Sequence, residues 1–173
     1  MAVYTPVDDK ALGTFMAFYD LGKVLSFAGI AEGVENSNYL IRTDQANYIL
    51  TLYEKRVDPT DLPFFMELME TLANAGMKCP LPVNTRDGSI LQELEGRPCA
   101  IFSFLDGTWS RFPNKAKCQE LGTALATMHL KAGAVTRRRL NTLGPLSWQP
   151  LFSSVKEQAN DLGVGMVQQI QDR

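Results

Sequence analysis

Residues 29 to 41 read GIAEGVENSNYLI. Gly29, Gly33, an acid and the asparagines Asn36 and Asn38 interrupt what otherwise reads as a pair of strands, and a simple turn does not need so long an insert. A glycine-containing connection between antiparallel strands suits close approach to a polyphosphate. A backbone without a side chain reaches the oxygens and presents its N–H groups. Gly33 is the best placed candidate, while Asn36, Ser37 and Asn38 either add hydrogen bonds to phosphate or hold the loop's own turn. The stretch is neither GxxxxGK[ST] nor GxGxxG, so an ordinary β-turn stands beside the phosphate loop as a reading.

On either side of this stretch the elements follow from spacing. Thr5, Pro6 and Asp8 predict a helix start with Thr5 as N-cap. Leu12, Phe15, Met16 and Tyr19 then recur as one helical face, closed by Gly22. NYLIRT and NYILTLYE, separated by Asp44-Gln45-Ala46-Asn47, predict an antiparallel hairpin. A second helix is expected after Asp58-Pro59, with Phe65, Leu68, Met69 and Leu72 covering the sheet and Gly76 at its C-terminal end. Pro80 and Pro82 lead into a further strand pair, with Asp87-Gly88 and Glu95-Gly96 as turns and CAIFSFL as a buried strand. A third helix follows the 109–113 corner, with Leu121, Ala124, Leu125 and Met128 on one face. Beyond Ala134 the pattern weakens through Arg137-Arg138-Arg139, which suits a solvated loop or a phosphate or partner contact. Gly144-Pro145 is expected to break the chain, and a final helix is expected from Leu151 onward.

The bounds are those of a globular protein. The chain has 173 residues, 45% hydrophobic and 21% charged, with a net charge of -2. That charge offers no general attraction for nucleic acid or an anionic membrane surface. Three cysteines without a CxxC spacing argue against a disulfide framework or zinc site and favour buried free thiols in a reducing, cytoplasmic setting. MAVYTPVDDK carries no secretory pattern, and no apolar run is long enough to span a membrane.

The order of elements, a loop hairpin, a strand, an apolar helix, two strands ending in CAIFSFLDG and then helices, matches the layout of a kinase-like N-lobe and hinge. Here the sequence resembles the aminoglycoside phosphotransferase-like kinases, and within them the branch acting on L-homoserine. The resemblance rests on GIAEGVENSNYLI, YILTLYEKRVDPTDLPFF, LMETLANAGMKCPLPV and LGTALATMHL, over most of residues 1 to 132. It implies an α+β fold: a kinase-like N-lobe and hinge strand over residues 1–105, then the first helices of a helical C-lobe over 106–173. It further implies transfer of the γ-phosphoryl group of ATP, with Mg²⁺, to the L-homoserine hydroxyl. The loop around Gly33 and Asn36 would cover the phosphates, and the backbone of Ser103, Phe104 and Leu105 would meet the adenine edge.

Departures from that pattern are equally specific. Where many of these kinases carry a basic strand residue, this sequence has Thr51, and Lys55 is the nearest substitute, on the same strand face or exposed at the strand end. Phe65 stands near the place of the helix glutamate that would pair with it, leaving Glu67 or Glu70. The HxDxxxxN segment expected further along is absent. His129 is followed by LKAGAV and reads as a packing residue. The expectation is therefore an N-terminal portion of such a kinase, inactive alone, that ends before its catalytic loop. Two other readings stay open: a kinase-derived nucleotide- or partner-binding module without catalysis, and an unrelated α+β interaction domain. Uncovered apolar faces on the third helix would favour self-association.

Overall fold

The structure, a computed structural model, describes residues 3–33, 35–54, 57–108, 110–142, 144–163 and 165–171. Five strands form one antiparallel sheet in the order β1-β2-β3-β5-β4. They are β1 Val24–Gly29, β2 Asn36–Thr43, β3 Asn47–Tyr53, β4 Gln92–Leu94 and β5 Arg97–Ser103. The described helices are α1 Asp9–Met16, α2 Leu62–Asn74, α3 Lys115–Ala132, α4 Pro145–Leu162 and α5 Met166–Gln171, with a short 3₁₀ helix, Pro59–Asp61, leading into α2. It divides into two compact units, residues 1–138 and 139–173.

Strand alternation gives the sheet two different faces. Tyr39, Ile41, Leu50, Leu52, Cys99 and Ile101 pack on one of them with Leu12, Phe15, Met16 and Tyr19, the predicted apolar set of the first helix. Residues one position out of phase, Ala100 and Phe102, face Met66 of α2, with Tyr53, Phe65 and Met69 packed against them. Register ties the faces together, since Asn38 opposes Thr51 and Thr51 opposes Ala100. The predicted hairpin, the α2 helix and the Glu95-Gly96 turn, with φ of 51° and 68°, are all present.

The first helix starts later than Thr5. The amides of Tyr4 and Thr5 donate to the Ser37 hydroxyl at 2.8 and 3.1 Å, and the Tyr39 hydroxyl donates to the Thr5 carbonyl at 2.8 Å. Those bonds hold residues 4 and 5 outside the helix. Asp8 is the N-cap instead, its carboxylate accepting the Ala11 amide at 2.7 Å. Nor does Gly22 close the helix, which ends at Met16. Gly22 has φ +80° at the entry to β1, where a Cβ would lie 2.1 Å from Asp44 Oδ1. The left-handed backbone is what favours glycine here, since the crowding comes only from the side chains of Asp44 and Gln45, which can shift.

Met66 and Leu72 carry the α2 face together with partly buried Phe65 and Met69, and Gly76 follows the C-cap with φ +79°. Residues 81 to 83 run beside β5, where Leu81 O accepts the Ser103 amide and Ile101 O accepts the Val83 amide. In α3, capped by Asn114, no described residue is buried, and Leu121 and Leu125 are 61% and 44% exposed. Its predicted face thus exists but lacks a cover among the described residues. In the second unit Gly144 is the N-cap and Pro145 lies in the first turn of α4, so this pair starts a helix rather than interrupting the chain. Proline fits there because its missing N–H has no intrahelical acceptor to lose. Gly163 and Gly165 separate α4 from α5.

Among the cysteines, Cys99 is buried, Cys79 partly buried and Cys118 exposed. The buried-thiol expectation therefore fails for Cys118, because α3 presents it to solvent. None of the described helices is long and apolar enough to cross a membrane.

Candidate functional site

Between the second sheet face, the β5 exit and α2 lies a cavity of about 460 Å³. It brings together four of the sequence-predicted residues, Asn36, Ser103, Phe104 and Leu105. Gly33 adjoins it: its φ is +115°, and a Cβ built there would come 3.8 Å from Asn38 Nδ2, itself on the cavity wall. Lys55 lies outside the described residues. No charged side chain lines the cavity among those described.

The walls differ in chemistry because strand phase selects their residues. Ile49, Phe102 and Met69 supply an apolar part, and Asn36, Asn38 and Thr51 a polar part. The Thr51 hydroxyl donates to Asn38 Oδ1 at 2.7 Å across the paired strands. Asn36 Oδ1 is buried with no hydrogen-bond partner among the described residues. Tyr53 also lines the cavity, and burial pushes its pKa up to about 12.

At the β5 exit the three candidate backbone groups are not equivalent. Ser103 N–H donates to Leu81 O at 2.9 Å, and Phe104 N–H donates to Asn47 O at 3.3 Å. Of the three amides, only that of Leu105 lacks a described backbone acceptor.

Ser37 does not reach this cavity. Period-two alternation turns it to the opposite face, where its hydroxyl donates to Glu54 Oε1 at 2.6 Å while accepting the Tyr4 and Thr5 amides. Arg97 Nε lies 3.2 Å from the second Glu54 oxygen. The helix glutamates Glu67 and Glu70 line a separate cavity of about 470 Å³ with Arg137. The Glu67 carboxylate accepts the Thr136 amide and hydroxyl at 2.6 and 2.7 Å, and Arg137 Nε lies 3.3 Å away. Arg137 is therefore paired within the chain while it stays exposed on a solvated loop. His129 is exposed in the last turn of α3, not packed as its place in the sequence suggested.

Sequence reasoning passed over Ile49, Tyr53, Met69 and Phe102 as cavity walls. Strand phase was the available signal for three of them: from Asn36 and Asn38, the opposed residues on the same face are Tyr53 and Thr51, then Ile49, which in turn opposes Phe102. Met69 was read as sheet cover, which is also true.

A five-stranded antiparallel sheet with helices packed on it is the architecture of kinase-like phosphotransferases, and the chain belongs to the phosphotransferase enzyme family (APH), matched over residues 26–163. Among curated relatives it is 54% identical over 172 residues to the homoserine kinase of Paramagnetospirillum magneticum, covering 99% of this chain and 53% of that protein. It is 52% identical over 166 residues to the homoserine kinase of Bradyrhizobium diazoefficiens, covering 96% of this chain and 51% of that one. The chain thus spans about half the length of the curated relatives it matches. A spectinomycin phosphotransferase solved with ADP and spectinomycin shares the fold at TM-score 0.64 and 15% identity, over 89% of this chain and 48% of that one. A microcompartment-associated aminopropanol kinase does so at TM-score 0.59 and 16% identity, over 90% and 56%.

Proposed function

We propose that this chain forms the nucleotide-binding part of an ATP:L-homoserine O-phosphotransferase acting in threonine biosynthesis in the cytoplasm. The observation that carries the nucleotide reading is the cavity that gathers Asn36, Ser103, Phe104 and Leu105 beside the Gly33 loop. The acceptor reading is supported by about half-identical curated relatives named homoserine kinase. In this reading residues 1–105 are the N-lobe and hinge, and residues 106–173 begin the helical lobe.

Adenine would lie between Ile49 and the 103–105 segment, with Leu105 N–H donating to its edge. Asn36 Oδ1 would accept a nucleotide hydroxyl, which removes the cost of an unpaired buried acceptor. The Gly33 loop would close over the phosphates. The reaction itself is an in-line displacement: the homoserine hydroxyl oxygen forms a bond to the γ-phosphorus as the bond to the β–γ bridging oxygen breaks, and ADP leaves. The hydroxyl proton passes to a base that none of the described residues supplies. Mg²⁺ would be held chiefly by the ATP phosphates with one or two carboxylates, and no group of three or more His, Cys, Asp or Glu that could hold a metal by itself occurs among the described residues.

Coupled ADP release tests the reading. The full-length polypeptide carrying this sequence, given ATP, Mg²⁺ and homoserine, is expected to turn over within about tenfold of ~10 s⁻¹. The 173-residue chain alone is expected to show negligible turnover. Preference of the full-length polypeptide for spectinomycin or aminopropanol over homoserine would overturn the acceptor assignment.

A further inference from the structure

The cavity's polar wall carries a fixed hydrogen-bond donor where the strand has no basic residue. Thr51 occupies that strand position, and its hydroxyl donates to Asn38 Oδ1 at 2.7 Å. An amide whose oxygen is so engaged turns its NH₂ group the other way. Among the described residues no hydrogen bond is made by Asn38 Nδ2, and a Cβ at Gly33 would be its neighbour at 3.8 Å. The NH₂ group therefore stands between the glycine loop and the cavity.

Placement along the strand fits a nucleotide's length. Tyr48 opposes Ser103 at the β5 exit, and Thr51 lies three residues further along β3. Three residues of extended chain cover on the order of 10 Å, enough for the base and sugar to separate the 103–105 segment from the polar wall. With no charged side chain lining the cavity among those described, the Asn38 amide is a neutral donor aimed where anionic oxygen would arrive.

We propose that Asn38, oriented by Thr51, binds the phosphate oxygens of the nucleoside triphosphate. Asn38 is thus a binding residue and Thr51 a positioning residue, and the assignment rests on the nucleotide reading above. It explains why a threonine can stand in this strand: its hydroxyl sets the amide rather than meeting the ligand. An isosteric carboxylate makes the sharpest test, because Asn38→Asp keeps the shape but replaces the donor with an anion.

Affinities for ATP and for adenosine are measured by calorimetry on the full-length polypeptide and its Asn38→Asp, Thr51→Val and Thr51→Ser variants. Loss of a donor to a charged group corresponds to about 10-fold to 150-fold in affinity. Asn38→Asp is expected to weaken ATP by at least that lower factor and adenosine by less than about twofold. Thr51→Val is expected to weaken ATP by a smaller factor, and Thr51→Ser, which keeps the hydroxyl, to restore it. Adenosine binding reports that each variant is folded. Equal losses for the two ligands, or ATP affinity unchanged in Asn38→Asp, would overturn the Asn38 assignment while leaving the nucleotide reading intact. Absence of ATP binding by the unaltered protein would overturn both.

Discussion

The Glu67 carboxylate in α2 accepts both the amide and the hydroxyl of Thr136, so one helix of the cavity wall is fastened to the segment that follows α3. Arg137 reinforces this, and Lys131 Nζ donates to the Ala75 carbonyl at the end of the same helix. Because α2 contributes Met69 to the main cavity, its seating bears on the site as well as on stability.

The fastening predicts a pH response. The Thr136 hydroxyl and amide, followed by Arg137, hold the Glu67 carboxyl below its usual value of 4.5. A depressed carboxylate pKa contributes stability that is fully present above the unfolded value and is lost as pH falls through the folded one. Thermal unfolding between pH 7 and pH 3 is therefore expected to show a smaller acid-induced decrease in Glu67→Gln than in the unaltered protein. Parallel pH profiles would show that the fastening contributes nothing measurable.

The exit of β5 gives a second expectation. Ser103 and Phe104 amides are already bonded within the protein, so Leu105→Pro removes the amide left for a ligand. Affinity for ATP and adenosine should fall together, by about 2-fold to 13-fold for a neutral hydrogen bond contributing 0.5–1.5 kcal/mol. This differs from the effect at Asn38, which should separate the two ligands. A Leu105→Ala variant, which keeps the N–H, controls for loss of the side chain.

Strand alternation made much of this fold legible. NYLIRT and NYILTLYE pair as their pattern requires, and the apolar spacing of Leu12, Phe15, Met16 and Tyr19 identified a buried set even though the helix ends before Tyr19. Thr5 misled because capping chemistry is local, whereas the Ser37 and Tyr39 hydroxyls that claim its backbone are more than thirty residues away in sequence. For the site, residue type drew attention to Gly33 and Asn36. Asn38 and Thr51 acquire their joint meaning only through register, a cross-strand relation that no single-residue pattern expresses. Likewise, Glu67 meets Thr136 across 69 positions, a separation at which spacing carries no signal.

The thiols should react in a set order. Cys118 is exposed on α3, whereas Cys79 is partly buried, donates to Met69 O at 3.3 Å and has its pKa raised by burial. Cys99 is fully buried, and burial with the nearby Glu93 charge pushes its pKa up to about 12. Since the thiolate is the nucleophile, a thiol reagent at pH 8 should modify Cys118 first, Cys79 more slowly and Cys99 only on unfolding. Mass mapping against time checks the order, and early labelling of Cys99 would contradict the burial of β5.

Gly33 sets the final expectation, since its two possible reasons for being glycine separate cleanly here. Space does not demand it: among the described residues a Cβ would have only Asn38 Nδ2 within 4 Å, at 3.8 Å. Backbone conformation does, because φ is +115° and a β-branched residue is strongly disfavoured there. Gly33→Val therefore forces the loop toward another conformation, with strain of about 1–3 kcal/mol if it does not move. The loop is exposed and outside both buried clusters, so relaxation should leave the core packing of Ile41, Leu50 and Ile101 untouched. ATP affinity is expected to fall more than adenosine affinity, with only a small decrease in Tm. Gly33→Ala, lacking the branch but sharing the disfavoured φ, should show the same selectivity to a lesser degree. If both variants bind ATP as the unaltered protein does, the loop is a turn joining β1 to β2 and the phosphates are held from the strand face alone.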